Sequence, residues 1–328
     1  MRAVVALVAA GLLLAGCSEV KPEPIHQVYP TATTPPAPSA TEPSVTTSAT
    51  ATALPTTRVL RADPDDVRVK TAMAAVRHLA SRIGPRPGTS PAYFRAAGWV
   101  ESRLTELGWT VERQRFPTPA GVSWGIAVPG GPSVNLVATR GDVVPGEPWL
   151  LVGAHLDTVP QAPGAEDNAS GIGVLLATAE ALAGHRTRLP VVLVAFGSEE
   201  PRGPTDADHH YGSTAYVASL TRPERRGLRA MVAMDRVGVG DVVPIGSAFA
   251  PDALTRELRA VGRRAGVPTL VDIDQKSSDH WSFVQEGLPG ARLGGTSYVD
   301  YHKPTDIPSV VDPAQLGRTA RLVVAWLR

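Results

Sequence analysis

The chain has 328 residues, 43% of them hydrophobic, and Lys+Arg (32) nearly cancel Asp+Glu (31). That length suits one large domain or two small ones. With no basic stripe, no acidic tail and aromatics at 5%, nucleic acid and polycation partners are excluded, as is a base-stacking platform.

In chain order, Met1-Arg2 precedes an apolar stretch from Ala3 to Ala15, then Gly16-Cys17. The run is shorter than the roughly 20 residues of a spanning helix and reads as an export signal. Leu14-Ala15-Gly16-Cys17 resembles the lipobox of bacterial lipoproteins. The resemblance implies that residues 1–17 are a lipoprotein signal peptide. It also implies that Cys17 becomes a lipidated mature N-terminus, and that the protein is exported and anchored to the outer face of a bacterial cell membrane. The alternative is an ordinary signal peptide cut near Ala15. A diacylglyceryl cysteine carries at least two acyl chains, enough for stable anchoring. Cys17 is the single cysteine, so the exported part has neither a disulfide nor a thiolate metal ligand.

Residues 18–60 are dominated by Pro, Thr, Ser and Ala. They bury too little apolar surface to offset chain entropy and are read as a disordered tether. The folded domain is expected over 61–328, as a monomer. Asp63-Pro64 opens a first helix reaching about Ile83. A break at Gly84-Pro85-Arg86-Pro87-Gly88 follows, then a helix from Pro91 to Leu107. Trp109 to Phe116 alternates as a half-exposed strand, and short strands are expected at Ser123–Val128 and Ser133–Ala138. Beyond them, continuously apolar strands alternate with helices. The strands are Leu150–His155, Pro190–Phe196, Leu228–Met234, Val267–Ile273 and Ala291–Gly294. The helices are Ser170–Ala183, Ser213–Leu220, Pro251–Ala265 and Pro313–Leu327. This pattern predicts an α/β domain, a mixed, centrally parallel β-sheet sandwiched between helices, with antiparallel additions at one edge.

Chemistry-bearing residues follow three consecutive buried strands: His155 and Asp157, then Glu199 and Glu200, then Asp235. Ligands of open α/β sheets bind beyond the carboxyl ends of the strands. Helix caps and solvated loop charges account for one such acid, but not for all together. Imidazole and carboxylates without thiols suit Zn²⁺ or a similar divalent ion. Two ions about 3.5–4 Å apart need a bridging carboxylate, and the spare member of the Glu199-Glu200 pair is then free to act as base.

The motifs His155-Leu156-Asp157, Glu166-Asp167-Asn168-Ala169-Ser170-Gly171, Gly197-Ser198-Glu199-Glu200, Met234-Asp235, Ser278-Asp279-His280 and Tyr301-His302 together resemble the di-zinc aminopeptidase family. That family comprises zinc-dependent exopeptidases such as bacterial leucyl aminopeptidases and aminopeptidase Y. The resemblance spans roughly 65–328 and implies the zinc exopeptidase, phosphorylase/hydrolase-like fold. It implies two Zn²⁺ per chain: Asp167 bridging, His155 and Asp235 on one ion, Glu200 and His302 on the other. Glu199 is then the general base on a metal-bridging water. Asp157 accepts from the second nitrogen of His155, and Tyr301 stabilises the oxyanion. The implied function is removal of N-terminal residues from peptides. Glutaminyl cyclisation with one zinc, carboxypeptidase action using Arg202, Arg236 or Arg292, and a non-catalytic surface binding protein are the alternatives.

One departure from the family pattern is the stretch Pro201 to His210. Its Asp206, Asp208, His209 and His210 are read as a solvated loop over the pocket rather than an extra ion site. Ser278-Asp279-His280 is read as a wall of the pocket, because three consecutive residues cannot face one another as a triad.

Overall fold

The computed structural model describes residues 59–328 apart from Asp142. The signal peptide, Cys17 and nearly all of the tether lie outside the described residues. Among those described, no helix is long and apolar enough to cross a membrane.

An eight-stranded sheet runs through the described residues in the order β1-β4-β6-β5-β7-β10-β8-β9. The strands are β1 (Thr110–Thr118), β4 (Gly131–Thr139), β5 (Trp149–His155), β6 (Val191–Phe196), β7 (Leu228–Asp235), β8 (Val243–Gly246), β9 (Thr269–Asp272) and β10 (Gly290–Gly294). The pairs β5/β6, β5/β7 and β7/β10 are parallel, whereas β4 runs antiparallel to both β1 and β6. The parallel centre and antiparallel edge therefore match the sequence expectation. β8, which the sequence does not announce, is antiparallel to β10. Its Val-Pro-Ile-Gly is too short for a periodic signal.

The central strands are apolar on both faces because both faces are covered. Leu150, Val152 and Ala154 of β5, with Leu193 and Val232, join one core under α1 (Val69–Arg77), α2 (Pro91–Glu106), α3 (Gly171–Ala181) and, later in the chain, α6 (Ala253–Arg264) and α8 (Pro313–Leu327). Leu151, Val194, Phe196 and Met231 point the other way, toward Tyr216 and Val217 of α4 (Tyr211–Ser219) and Phe283 of α7 (His280–Gln285). Between α4 and β7 runs the short α5 (Arg222–Gly227), also absent from the sequence reading. A Cβ on Gly153 would strike the Phe196 ring, so glycine is what lets this ring lie against β5.

Two boundaries differ from expectation. Asp63 does accept from the Asp65 N–H, but it caps only the turn Pro64–Asp66; Val67 and Arg68 are extended, and α1 begins at Val69. The strand expected at Ser123–Val128 is instead the hairpin β2 (Gly121–Ser123) and β3 (Ile126–Val128), with Trp124 at its turn. Arg202 clamps both legs of this hairpin, donating to the carbonyls of Pro119 (2.9 Å) and Pro129 (2.8 Å).

Strand order sets the site. From β5 the chain crosses to β6 on one side, and from β6 it crosses back over β5 to β7. The carboxyl ends of β5 and β7 thus flank the point where the winding reverses, the usual place for a ligand crevice in such sheets.

Candidate metal centre

His155 ends β5 opposite Phe196 of β6, and Asp235 ends β7. Between them comes Asp167, from the loop that opens α3. Its Oδ1 lies 3.2 Å from His155 Nε2, and its Oδ2 lies 3.0 Å from His302 Nε2. Asp235 Oδ1 is 3.6 Å from His155 Nε2, and Glu200 Oε2 is 3.4 Å from His302 Nε2. Glu199 Oε2 stands slightly further off, 3.9 Å from His155 Nε2. All are buried, none more than 7% exposed. Two groups of ligating atoms converge here, His155 with Asp167 and Glu200, and His155 with Glu199 and Asp235. The sequence-predicted set is therefore brought together, with His302 completing the second side.

The loop carrying Asp167 is held from three directions. Asp306 accepts from the Glu166 N–H (2.8 Å) and the Asp167 N–H (3.1 Å). The Glu166 carboxylate accepts from Gly238 N–H after β7. Asn168 donates to the Met234 carbonyl (2.8 Å) and accepts from Gly171 N–H. Behind the loop, the buried Arg86 donates to the carbonyls of Leu156 (2.6 Å), Pro163 (2.7 Å) and Gly164 (3.1 Å). Burial lowers its pKa to about 10, partly offset by Asp157 and Asp306, so it remains cationic at neutral pH.

Asp157 has a task besides the one expected. Its carboxylate accepts from the N–H groups of Glu199 (3.0 Å) and Glu200 (3.1 Å). His155 Nδ1 lies closer to the Asp157 backbone carbonyl (3.3 Å) than to its carboxylate (3.7 Å). The carbonyl and the carboxylate both face the ring, and the carboxylate also fixes the turn that presents both glutamates. Tyr301 stacks on His302, with ring centroids 3.7 Å apart, and the Arg236 guanidinium lies over the Tyr301 ring at 4.6 Å.

The loop after Glu200 is corrected in part. Asp206 is exposed as expected. His210 is 5% exposed, with Nε2 3.2 Å from Glu199 Oε1, so it belongs to the site. No local signal in the chain marks this, since His209 beside it has the same composition context. Five non-glycine residues with positive φ lie around the centre: Trp124, Ser198, His210, Arg236 and His302. Each costs about 1–3 kcal/mol and persists because tertiary contacts over-determine it.

A divalent cation fits this donor set. Six acidic or imidazole groups crowd one buried space, and several atoms lack partners: Glu200 Oε1, Asp235 Oδ1 and both ring nitrogens of His302 have no hydrogen bond. His302 Nε2 is close to Asp167 Oδ2 but not aligned for donation. The charge balance says the same. Burial, then Asp167 and Glu199, push the Glu200 carboxyl well up. Burial opposes the charge of His155, yet Glu199, Asp157, Asp167 and Asp235 hold its pKa well above the usual range. Burial also opposes the charge of Asp167, but His155 and His302 outweigh it and hold that carboxyl well down. These carboxylates call for positive charge between them. Clefts elsewhere, about 460 Å³ beside α6 and about 330 Å³ between α1, α2 and α3, hold no such cluster.

The Peptidase family M28 profile matches residues 135–327, more than half the chain and every residue of this cluster. The chain belongs to Peptidase family M28. It is thereby a hydrolase of the class expected. YfbL of Escherichia coli, itself uncharacterised, is 26% identical over 293 residues, 77% of this chain and 85% of its own length. Aminopeptidase YwaD of Bacillus subtilis is 28% identical over 187 residues, 54% of this chain and 40% of that one. The probable lipoprotein aminopeptidase LpqL of Mycobacterium tuberculosis is 27% identical over 208 residues, 51% and 40%. The chain thus spans well under two thirds of the latter two. Among solved structures, the zinc aminopeptidase BSAP of Bacillus subtilis superposes with a TM-score of 0.70 at 17% identity, covering 79% of this chain and 94% of that one. A Porphyromonas gingivalis glutaminyl cyclase gives 0.67 at 20% identity, covering 80% and 98%. The fold is that of both.

Ser278, Asp279 and His280 are all buried. His280 Nε2 lies 2.9 Å from the Gln275 carbonyl. Burial lowers its pKa from 6.5 to about 4, so the ring folds neutral. The unfolded chain therefore binds the extra proton between pH 6.5 and about 4, and this histidine costs stability as pH falls through that window. Burial and Glu199 raise Asp279 to about 7, which tilts stability the opposite way. The difference between wild type and His280→Gln isolates the histidine. Urea titrations at pH 7 and pH 4.5 should show the variant losing less stability, by up to about 3 kcal/mol; equal losses would refute the neutral buried ring.

Proposed function

We propose that the enzyme is a zinc aminopeptidase, binding two ions per chain and hydrolysing the first peptide bond of peptides. The observation that carries this reading is the divided carboxylate of Asp167, one oxygen toward His155 and the other toward His302. In this reading His155 and Asp235 hold one zinc, Glu200 and His302 the other, and Asp167 is shared. Zinc so held supplies Lewis acidity, polarising the scissile carbonyl and acidifying water. Glu199 takes the proton from the attacking water and delivers it to the leaving amine. His210, with Nε2 3.2 Å from its Oε1, stands beside that carboxylate as a charge partner. Asp157 fixes the backbone of both glutamates, and Tyr301, stacked on His302, offers its hydroxyl to the oxyanion. Names among the relatives support the aminopeptidase direction, and LpqL supports a lipid anchor through Cys17, with export to the outer face of the membrane.

The fold is shared with a glutaminyl cyclase, so fold alone does not choose the reaction. The complete Asp167-centred set favours two ions over one. Purified enzyme should turn over aminoacyl p-nitroanilides and free-amine peptides, lose activity on chelation and regain it with zinc. Metal analysis should find two ions per chain. Hydrolysis of N-terminally blocked but not C-terminally blocked peptides would overturn the reading in favour of a carboxypeptidase.

A further inference from the structure

The sequence offers three arginines as anchors for a substrate carboxylate: Arg202, Arg236 and Arg292. The structure separates them. Arg202 is committed to the β2–β3 hairpin through Pro119 and Pro129. Arg236 and Arg292 instead converge on Asp235 at the metal centre. Arg236 Nε lies 3.7 Å from Asp235 Oδ1, and Arg292 Nη1 lies 3.7 Å from Asp235 Oδ2. Among the described residues, no other carboxylate comes within salt-bridge distance of either. One carboxylate therefore faces two guanidiniums as well as His155. Bound to a cation, it has less charge to offer them.

We propose that Arg236 and Arg292 form the specificity pocket of this peptidase and select peptides whose first residue has a carboxylate side chain, glutamate or aspartate. The proposal rests on the aminopeptidase reading, since only there does the first side chain lie beside the metal centre.

The arginine pair is built rather than incidental. Arg292 has a side chain 2% exposed. It donates to Ser277 Oγ (2.8 Å) and Gln275 Oε1 (2.7 Å), while its Nε has no partner. A Cβ on Gly295 would collide with the guanidinium, so the glycine leaves room for this cation. Arg236 stands in the left-handed region, φ 55°, with its guanidinium 4.6 Å above the Tyr301 ring. Its side chain is 12% exposed, open enough to be reached and buried enough to matter. Burying the Arg292 cation beside a shared counter-ion is costly unless a ligand supplies further charge. Guanidinium forks suit a planar carboxylate.

The test uses zinc-loaded enzyme with Glu-, Asp-, Leu- and Met-p-nitroanilide. The kcat/KM for Glu or Asp should exceed that for Leu at least about tenfold, and Arg236→Met should reduce that ratio at least about tenfold. A second measurement is calorimetric titration of zinc-loaded Glu199→Gln with L-glutamate and L-leucine, where glutamate should bind at least about tenfold tighter. Leu preferred, an unchanged ratio in Arg236→Met, or equal binding of the two amino acids would each overturn the proposal while leaving an active aminopeptidase intact. A rate governed by the C-terminal carboxylate of Leu-Ala-Ala against its amide would also overturn it. No turnover of any aminoacyl substrate by zinc-loaded enzyme would instead defeat the aminopeptidase reading, and the calorimetry would still decide the pocket.

Discussion

Glu199→Gln is expected to keep its zinc and lose at least about a thousandfold in kcat. Two candidate roles compete for this side chain. It converges with His155 and Asp235 in one possible ligand group, yet it stands 3.9 Å from His155 Nε2 where Asp167 stands at 3.2 Å and Asp235 at 3.6 Å. Its second oxygen lies 3.2 Å from His210 Nε2, a charge contact without hydrogen-bond alignment. A positioned base contributes about 10²–10⁴ in rate, and glutamine keeps the shape while removing the proton acceptor. Metal analysis and steady-state kinetics on the same sample decide between the roles. Loss of zinc together with activity would make Glu199 a ligand; near-native kcat would end the base mechanism.

Asp167→Asn should cost more zinc than any other single ligand change. Each of its oxygens serves a different histidine, 3.2 Å and 3.0 Å away, so neutralising it weakens both halves at once. The amide is isosteric, and Asp306 still holds the backbone N–H groups of Glu166 and Asp167, so the loop should stay in place. After dialysis against buffered zinc, Asp167→Asn should retain almost none, whereas His155→Ala should retain the ion held by Glu200 and His302. Activity should fall at least about a thousandfold in both. Equal metal loss in the two variants would remove Asp167 from its shared position.

Much of the fold was legible because its physics is local. Val191 to Phe196 is apolar at every position, which a strand satisfies only when buried on both faces, and both cores prove to be lined by it. Ser90 before Pro91 announces a helix, and Ser90 indeed accepts from the Tyr93 N–H. The boundaries that shifted are those where the local signal was ambiguous. Asp63-Pro64 capped a single turn, and the glycine-bearing stretch after Gly121 paired with itself around Trp124.

The site divides in the same way. His155, Asp167, Glu199, Glu200, Asp235 and His302 stand out in the chain because each follows a strand or sits in a dense motif. His210, Arg86 and Asp306 do not. Arg86 lies in what reads only as a helix break, and its role exists because Leu156, Pro163 and Gly164 bring their carbonyls to it. Asp306 matters because two N–H groups 139 and 140 residues away in sequence meet its carboxylate.

The sequence by itself determined the helices, the buried strands and the inventory of donors, since hydrophobic period, caps and residue chemistry act over a few neighbours. Only the tertiary structure decided that Asp157 serves the Glu199 and Glu200 amides more than the His155 ring, that His210 stands beside Glu199, and that two of three arginines share Asp235. Those outcomes depend on distances between segments far apart in the chain, where a shift of an ångström separates a hydrogen bond from a bare charge.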